Sequence, residues 1–291
     1  MKALVLIFAL LLTFLAPALA RESSIAAGGR TRTYILLRPS GLPRTTPVPL
    51  VVVLHGGFGT GAQAEKSYRW DEAAAAHGFV VAYPDGVRRS WNAGGGCCGT
   101  GASAPIDDVG FLDALIAKIS SEENIDPARI YLTGISNGAA MSYRYACDGK
   151  IPVAAIGSVA GTMPGGCAHP RPTSVMEIHG LQDRNIPFDG GVGPKGVTKL
   201  DWPAVQTTLD IFRRADACAP ATTSRSGVVE RSESVCGNHA VTLITIADAG
   251  HQWPGSVDKP VIRTLLGLDA PSTALDATAT LWSFFESHPA R

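Results

Sequence analysis

Three side chains carry the types and chain order needed to split an acyl bond: Ser136, Asp183 and His251. Ser136 lies in Gly134-Ile135-Ser136-Asn137-Gly138, a G-x-S-x-G segment. A serine hydroxyl is a poor nucleophile at neutral pH until a base takes its proton. His251, in Ala249-Gly250-His251-Gln252-Trp253-Pro254-Gly255, is the expected base. Asp183, in His179-Gly180-Leu181-Gln182-Asp183, is the expected carboxylate that orients it, with Asp85, Asp189 and Asp201 as alternatives. Asp248 stands too near His251 in the chain for that task. An oxyanion formed during acyl transfer needs two backbone N–H donors. Asn137, next after the serine, supplies one, and the His55-Gly56-Gly57-Phe58 loop the other, through Gly57. Of the remaining histidines, His179 reads as a buried strand residue and His55 as a support for its loop. His77, His169, His239 and His288 read as solvated.

These residues do chemistry only if the fold brings them together. Pro49–Leu54, Phe79–Tyr83, Arg129–Thr133, Val153–Val159, Val175–Ile178 and Val241–Ile246 are short apolar runs rich in β-branched residues, the mark of strands buried on both faces. Thr33–Leu37 is a further strand after a Gly28-Gly29 turn. Helical patterns fall between them: Ala62–His77, a segment from Asp107 or Asp108 through Ser120, Asn137–Cys147 and finally Ala277–Ser287. This alternation predicts an α/β fold, a mostly parallel sheet covered by helices on both faces. His55, Ser136, Asp183 and His251 then all follow strands and reach one sheet edge. A G-x-S-x-G is weak by itself; between a buried strand and a helix it has the context of a nucleophile elbow, and the order Ser, Asp, His is that of α/β-hydrolases.

Lys and Arg together number 25 and Asp and Glu 25, so the near-zero net charge argues against a nucleic-acid partner. Lys2, the apolar run Ala3–Leu15 and Ala18-Leu19-Ala20 read as a signal peptide over residues 1–20, with the rest one catalytic domain at 21–291, secreted to the periplasm or beyond the cell and without a membrane partner once cleaved. Export makes all six cysteines disulfide candidates. Cys218 and Cys236 are expected to pair across a polar loop; Cys97, Cys98, Cys147 and Cys167 leave several pairings open. No metal or cofactor is expected. A rival motif, Gly59-Thr60-Gly61-Ala62-Gln63-Ala64 followed by Asp85, would suit a dinucleotide-binding oxidoreductase. A non-catalytic polymer-binding protein on the same fold is a third reading, against which stands the complete Ser, Asp, His set. The stretch 181–240 is too long for a turn and reads as an insertion, with a helix-like Val205–Ala215 segment. Trp202 within it, together with Trp91 and Trp253, is the expected aromatic wall of a pocket, local core packing being the alternative for all three.

Taken together, Leu54-His55-Gly56-Gly57, Tyr83-Pro84-Asp85-Gly86, Trp91-Asn92 with Cys97-Cys98, Asp107-Asp108-Val109-Gly110-Phe111, the serine segment, His179-Gly180 with Asp183, and Gly250-His251-Gln252-Trp253-Pro254-Gly255 resemble the secreted polyhydroxybutyrate-depolymerase-type esterases, a group that includes feruloyl and acetylxylan esterases. The resemblance runs from about Arg32 to the C-terminus. It implies an α/β-hydrolase fold and cofactor-free ester hydrolysis, on either polyester or plant cell-wall esters. The chain stops after its last helix, with no polymer-binding module, so soluble short esters are expected to be preferred over crystalline polyester.

Overall fold

The computed structural model describes residues 20–99, 106–266 and 268–290. The expected signal peptide falls outside them except for Ala20. Among the described residues ten strands form one sheet: β1 (Arg21–Ala27), β2 (Arg30–Leu37), β3 (Val48–Leu54), β4 (Val80–Pro84), β5 (Ile125–Ile135), β6 (Ala155–Val159), β7 (Ser174–Gly180), and, at the far edge, β12 (His239–Ile246), β11 (Val229–Cys236) and β10 (Thr222–Ser226). Their spatial order is β1-β2-β4-β3-β5-β6-β7-β12-β11-β10. The strands from β4 to β12 in this order run parallel; the pairs at the two ends are antiparallel. A separate two-stranded ribbon, β8 (Gly191–Val192) with β9 (Asp201–Trp202), lies between β7 and β10 in the chain.

Alternation along β3 shows why both faces must be covered. Leu50, Val52 and Leu54 pack on one side with residues of α3 (Asp108–Glu123), α4 (Asn137–Asp148) and α5 (Val205–Ala215). Val51 and Val53 pack on the other with α1 (Gly61–Tyr68), α2 (Trp70–His77) and α7 (Ala277–Ser287). Every residue of β3 is buried, as its unbroken apolar sequence requires. A shorter helix, α6 (Pro260–Leu266), precedes α7. Asp107 caps α3, its side chain accepting from the Gly110 amide at 2.7 Å.

The fold departs from the sequence reading in three places. The Gly28-Gly29 turn joins two strands rather than opening one: β1 pairs with β2 through the whole of Arg21–Ala27. The Ala62–His77 helix is broken at Arg69, which takes a left-handed φ of 62° and pairs with Glu72 and Asp276 at 2.7 and 3.2 Å. Residues 181–240 divide in two. The first part builds the β8–β9 ribbon and α5, whereas β10 and β11 extend the main sheet. Disulfides join Cys147 to Cys167 and Cys218 to Cys236, with Cα atoms 5.8 and 4.0 Å apart, and neighbouring Cys97 and Cys98 are also bonded.

Candidate active site

The turn after β5 presents Ser136. Its backbone, at φ 58° and ψ −121°, lies in a region L-residues rarely occupy. The strain is fixed from both sides: the Ser136 amide donates to Val159 O and its carbonyl accepts from Ala140 N, each at 2.9 Å. The flanking glycines are dictated by close approach. A Cβ on Gly134 would meet the Gly138 carbonyl carbon at 2.6 Å, and one on Gly138 would meet Leu54 O at 2.5 Å. Helix α4 thus starts at Asn137, directly against the end of β3.

The loop after β3 is set by His55, which is fully buried. Its Nε2 accepts from the Gly86 amide at 2.9 Å, so Nδ1 carries the proton and donates to Gly56 O at 2.7 Å. Burial lowers its pKa against the smaller opposing pull of the Gly56 carbonyl, in keeping with a neutral ring. The reading of His55 as a loop support agrees with this. Gly57 stands beside Asn137: a Cβ built on it would lie 3.9 Å from Asn137 Cβ. Trp91 ties the two segments together. Its indole N–H donates to His55 O at 2.9 Å, its amide donates to Asn137 Oδ1 at 2.7 Å, and its carbonyl accepts from Asn137 Nδ2 at 3.0 Å.

Beyond β7, Asp183 is buried and its two oxygens have separate tasks. Oδ1 accepts from the amides of Asn185 and Ile186 at 2.8 and 2.9 Å. Oδ2 accepts from His251 Nδ1 at 2.7 Å. Burial disfavours the carboxylate, but His251, His179 and the Ile186 amide outweigh it and hold the carboxyl below the usual range. His251 is fixed from a second side: its amide donates to Asp269 Oδ2 at 2.9 Å, and Asp269 pairs with Lys195 at 2.9 Å. Asp269 carries no mark in the sequence, because its contact to His251 runs through the backbone and leaves no spacing pattern.

A cavity of about 310 Å³ opens on this edge, lined by Gly57, Ser136, Asn137, Asn185, Ile186 and Trp202 among others. Asn185 and Ile186, whose amides grip Asp183, therefore form part of its wall. Arg88 and Arg89 also line it, and among the described residues no acidic side chain does. Ser136 and His251 are not hydrogen-bonded to each other among the described residues; the His251–Asp183 pair is.

The three tryptophans separate. Trp202 lines the cavity. Trp91 and Trp253 do not, and the pocket-wall expectation is corrected for both. Trp91 is fully buried with its N–H taken by His55. Trp253 is buried against Tyr68, ring centroids 4.6 Å apart, and donates to Thr278 Oγ1 at 3.1 Å. Among the alternative acids, Asp201 borders a different cavity and Asp85 caps α1. That cap also bears on the dinucleotide motif: Asp85 Oδ1 accepts from the Gly61 amide at 2.8 Å, so a carboxylate already occupies the helix start where a phosphate would bind.

Residues 32–189 match the family model described as Esterase PHB depolymerase. The chain is 27% identical over 264 residues to Feruloyl esterase C of Emericella nidulans, covering 87% of this chain and 83% of that protein. It is 28% identical over 233 residues to Feruloyl esterase B of Piromyces equi, covering 76% of this chain but only 42% of that longer protein. In fold it is similar to the acetyl xylan esterase from Aspergillus awamori, at a TM-score of 0.60 and 16% identity, over 85% of this chain and 99% of that one. The sheet and its helical layers are those of an α/β-hydrolase. The chain belongs to the Esterase PHB depolymerase family and is a carboxylic ester hydrolase.

Proposed function

We propose that the protein is a secreted serine esterase working through an acyl-enzyme, with Ser136 as nucleophile, His251 as base and Asp183 as orienting acid. The observation that carries this reading is the His251–Asp183 pair, anchored to the wall of the same cavity that Ser136, Asn137 and Gly57 line. His251 Nδ1 is engaged by Asp183, so its Nε2 is the atom left to take the serine proton. Hydrogen bonds between nucleophile and base are commonly long outside a substrate complex and shorten within one. Ser136 Oγ attacks the ester carbonyl, and the oxyanion is met by the amides of Gly57 and Asn137. The His251 imidazolium then returns its proton to the leaving alcohol. Water, activated by the same ring, releases the acid and frees Ser136.

The substrates we assign are soluble short carboxylic esters: hydroxyalkanoate oligomers, or feruloyl and acetyl-xylan esters. A cavity of about 310 Å³ with Phe58, Ile186, Val197 and Trp202 in its lining suits one acyl unit rather than a polymer surface. The three disulfides suit an oxidising compartment, in line with export. The test is a rate panel on methyl ferulate, acetylated xylan, hydroxybutyrate oligomers, short aryl esters and crystalline polyester film. Soluble esters should be cleaved far faster than the film; film erosion at a comparable rate would reject the pocket-based reading.

A further inference from the structure

The mechanism above uses neither Glu177 nor His179, yet both are fully buried in β7 immediately behind Asp183. His179 Nε2 lies 2.9 Å from Ile186 O. A carbonyl oxygen only accepts, so Nε2 carries a proton. His179 Nδ1 lies 2.8 Å from Glu177 Oε1. Glu177 already accepts from the Gly161 amide on Oε1 at 3.2 Å and from the Tyr143 hydroxyl on Oε2 at 3.0 Å. Donors on both oxygens favour a carboxylate. Nδ1 then donates as well, and the ring is doubly protonated. Burial works against a charged His179, and Glu177 outweighs it to raise the pKa above the ordinary value; burial also raises Glu177. The same Nε2 stands 3.5 Å from Asp183 Oδ2, the oxygen that receives His251.

We propose that His179 is a buried imidazolium, held by Glu177, that acts as a positioning residue for Asp183. This rests on the reading of Ser136, His251 and Asp183 as the triad. The ring acts in two ways. Its N–H fixes Ile186, whose own amide fixes Asp183 Oδ1, so the loop is clamped to β7. Its charge faces Asp183 and, across that carboxylate, His251. It therefore favours the ionised form of Asp183 and keeps that carboxylate available to orient His251 toward lower pH. The other groups facing the pair are Tyr143 from α4, with Arg213 of α5 acting on it, and the ring of Phe188.

Glu177→Gln tests this with little change of shape. Without the counter-charge, His179 falls back to a neutral ring that keeps its N–H to Ile186. At 3.5 Å from Asp183 Oδ2 a unit charge is worth more than about one pH unit at an effective dielectric constant of about 20, and the opposite charge of Glu177 offsets part of it. The acid limb of the kcat/KM profile should therefore move up by about one pH unit. Nitrogen–proton NMR of the wild-type protein should show protons on both ring nitrogens of His179 at neutral pH, and on one in the variant. A single ring proton in the wild type overturns the proposal even where the variant does not fold. So does a variant that loses rate with an unmoved acid limb, the mark of a merely structural role. If Asp183→Asn retains full activity, the triad reading has failed instead; if it abolishes activity while Glu177→Gln leaves the acid limb in place, only the present proposal has.

Discussion

Replacing Asp183 by Asn changes one atom and should disable the base without disturbing the fold. The two oxygens of Asp183 are not equivalent. Oδ1 receives two amide N–H groups, from Asn185 and Ile186. An amide nitrogen placed there would face two donors, so the carbonyl oxygen of Asn must take that side. Its NH₂ group is then turned toward His251 Nδ1, where a 2.7 Å contact exists in the native protein. A donor at that place forces Nδ1 to accept and moves the ring proton to Nε2, the atom that must accept from Ser136. The ring is held in the wrong tautomer. In the serine protease for which this substitution is best described, the loss is about 10⁴ in kcat. At about 1.4 kcal/mol per decade this corresponds to roughly 5.5 kcal/mol of transition-state stabilisation. The assay is hydrolysis of a short aryl ester at pH 7 to 8, with the thermal midpoint measured alongside. The expected result is a loss of three decades or more in kcat with the fold retained. A loss under tenfold would refute the assignment of Asp183, and a large loss in Asp201→Asn or Asp189→Asn instead would name another acid.

Other outcomes follow from the same geometry. Trp253→Ala removes a buried ring stacked on Tyr68, so it should destabilise the protein by about 3–5 kcal/mol while leaving KM for soluble esters within twofold; a selective rise in KM would return Trp253 to the pocket. Trp91→Phe strips the donor from His55 O and should cost about 1–3 kcal/mol, lowering kcat more than it raises KM, as measured by steady-state kinetics. His55 is neutral in the fold with a lowered pKa, so its contribution to stability is complete above the unfolded-state value of about 6.5 and is lost as pH falls below it. The thermal midpoint should decline below that pH, and His55→Gln should flatten the decline. Peptide mapping without reductant should recover Cys218 joined to Cys236, a crosslink over 18 residues worth about 3 kcal/mol in the chain-entropy model; free thiols at both would contradict the structure.

What could be read from the sequence was whatever leaves a periodic or local mark. The parallel strands are buried for most of their length, so most of them stand out as largely apolar runs such as Pro49–Leu54. The serine turn is marked by two glycines that its backbone cannot do without. Val205–Ala215 and Ala277–Ser287 carry an apolar stripe, and the helices span those same residues. The outer edge strand β10 leaves no such mark, for the converse reason. All five residues of β10, Thr222–Ser226, are exposed and polar, so nothing in composition separates that strand from a loop. The break at Arg69, where the backbone turns left-handed, interrupts an Ala-rich stretch that local preference alone would continue. Tryptophan is the sharpest case. Its size suits a pocket wall or a core equally, and only the tertiary partners of Trp91 and Trp253 assign them to the core.

The central claim, that Ser136 becomes acylated within the His251–Asp183 frame, has a direct test. The protein is treated with a fluorophosphonate, and the adduct is located by peptide mass spectrometry with residual esterase activity followed in parallel. The account predicts a single phosphonylated residue, Ser136, activity lost in proportion to labelling, and neither labelling nor turnover in Ser136→Ala. Full labelling at another residue, or ester turnover in Ser136→Ala within tenfold of the native rate, would contradict it.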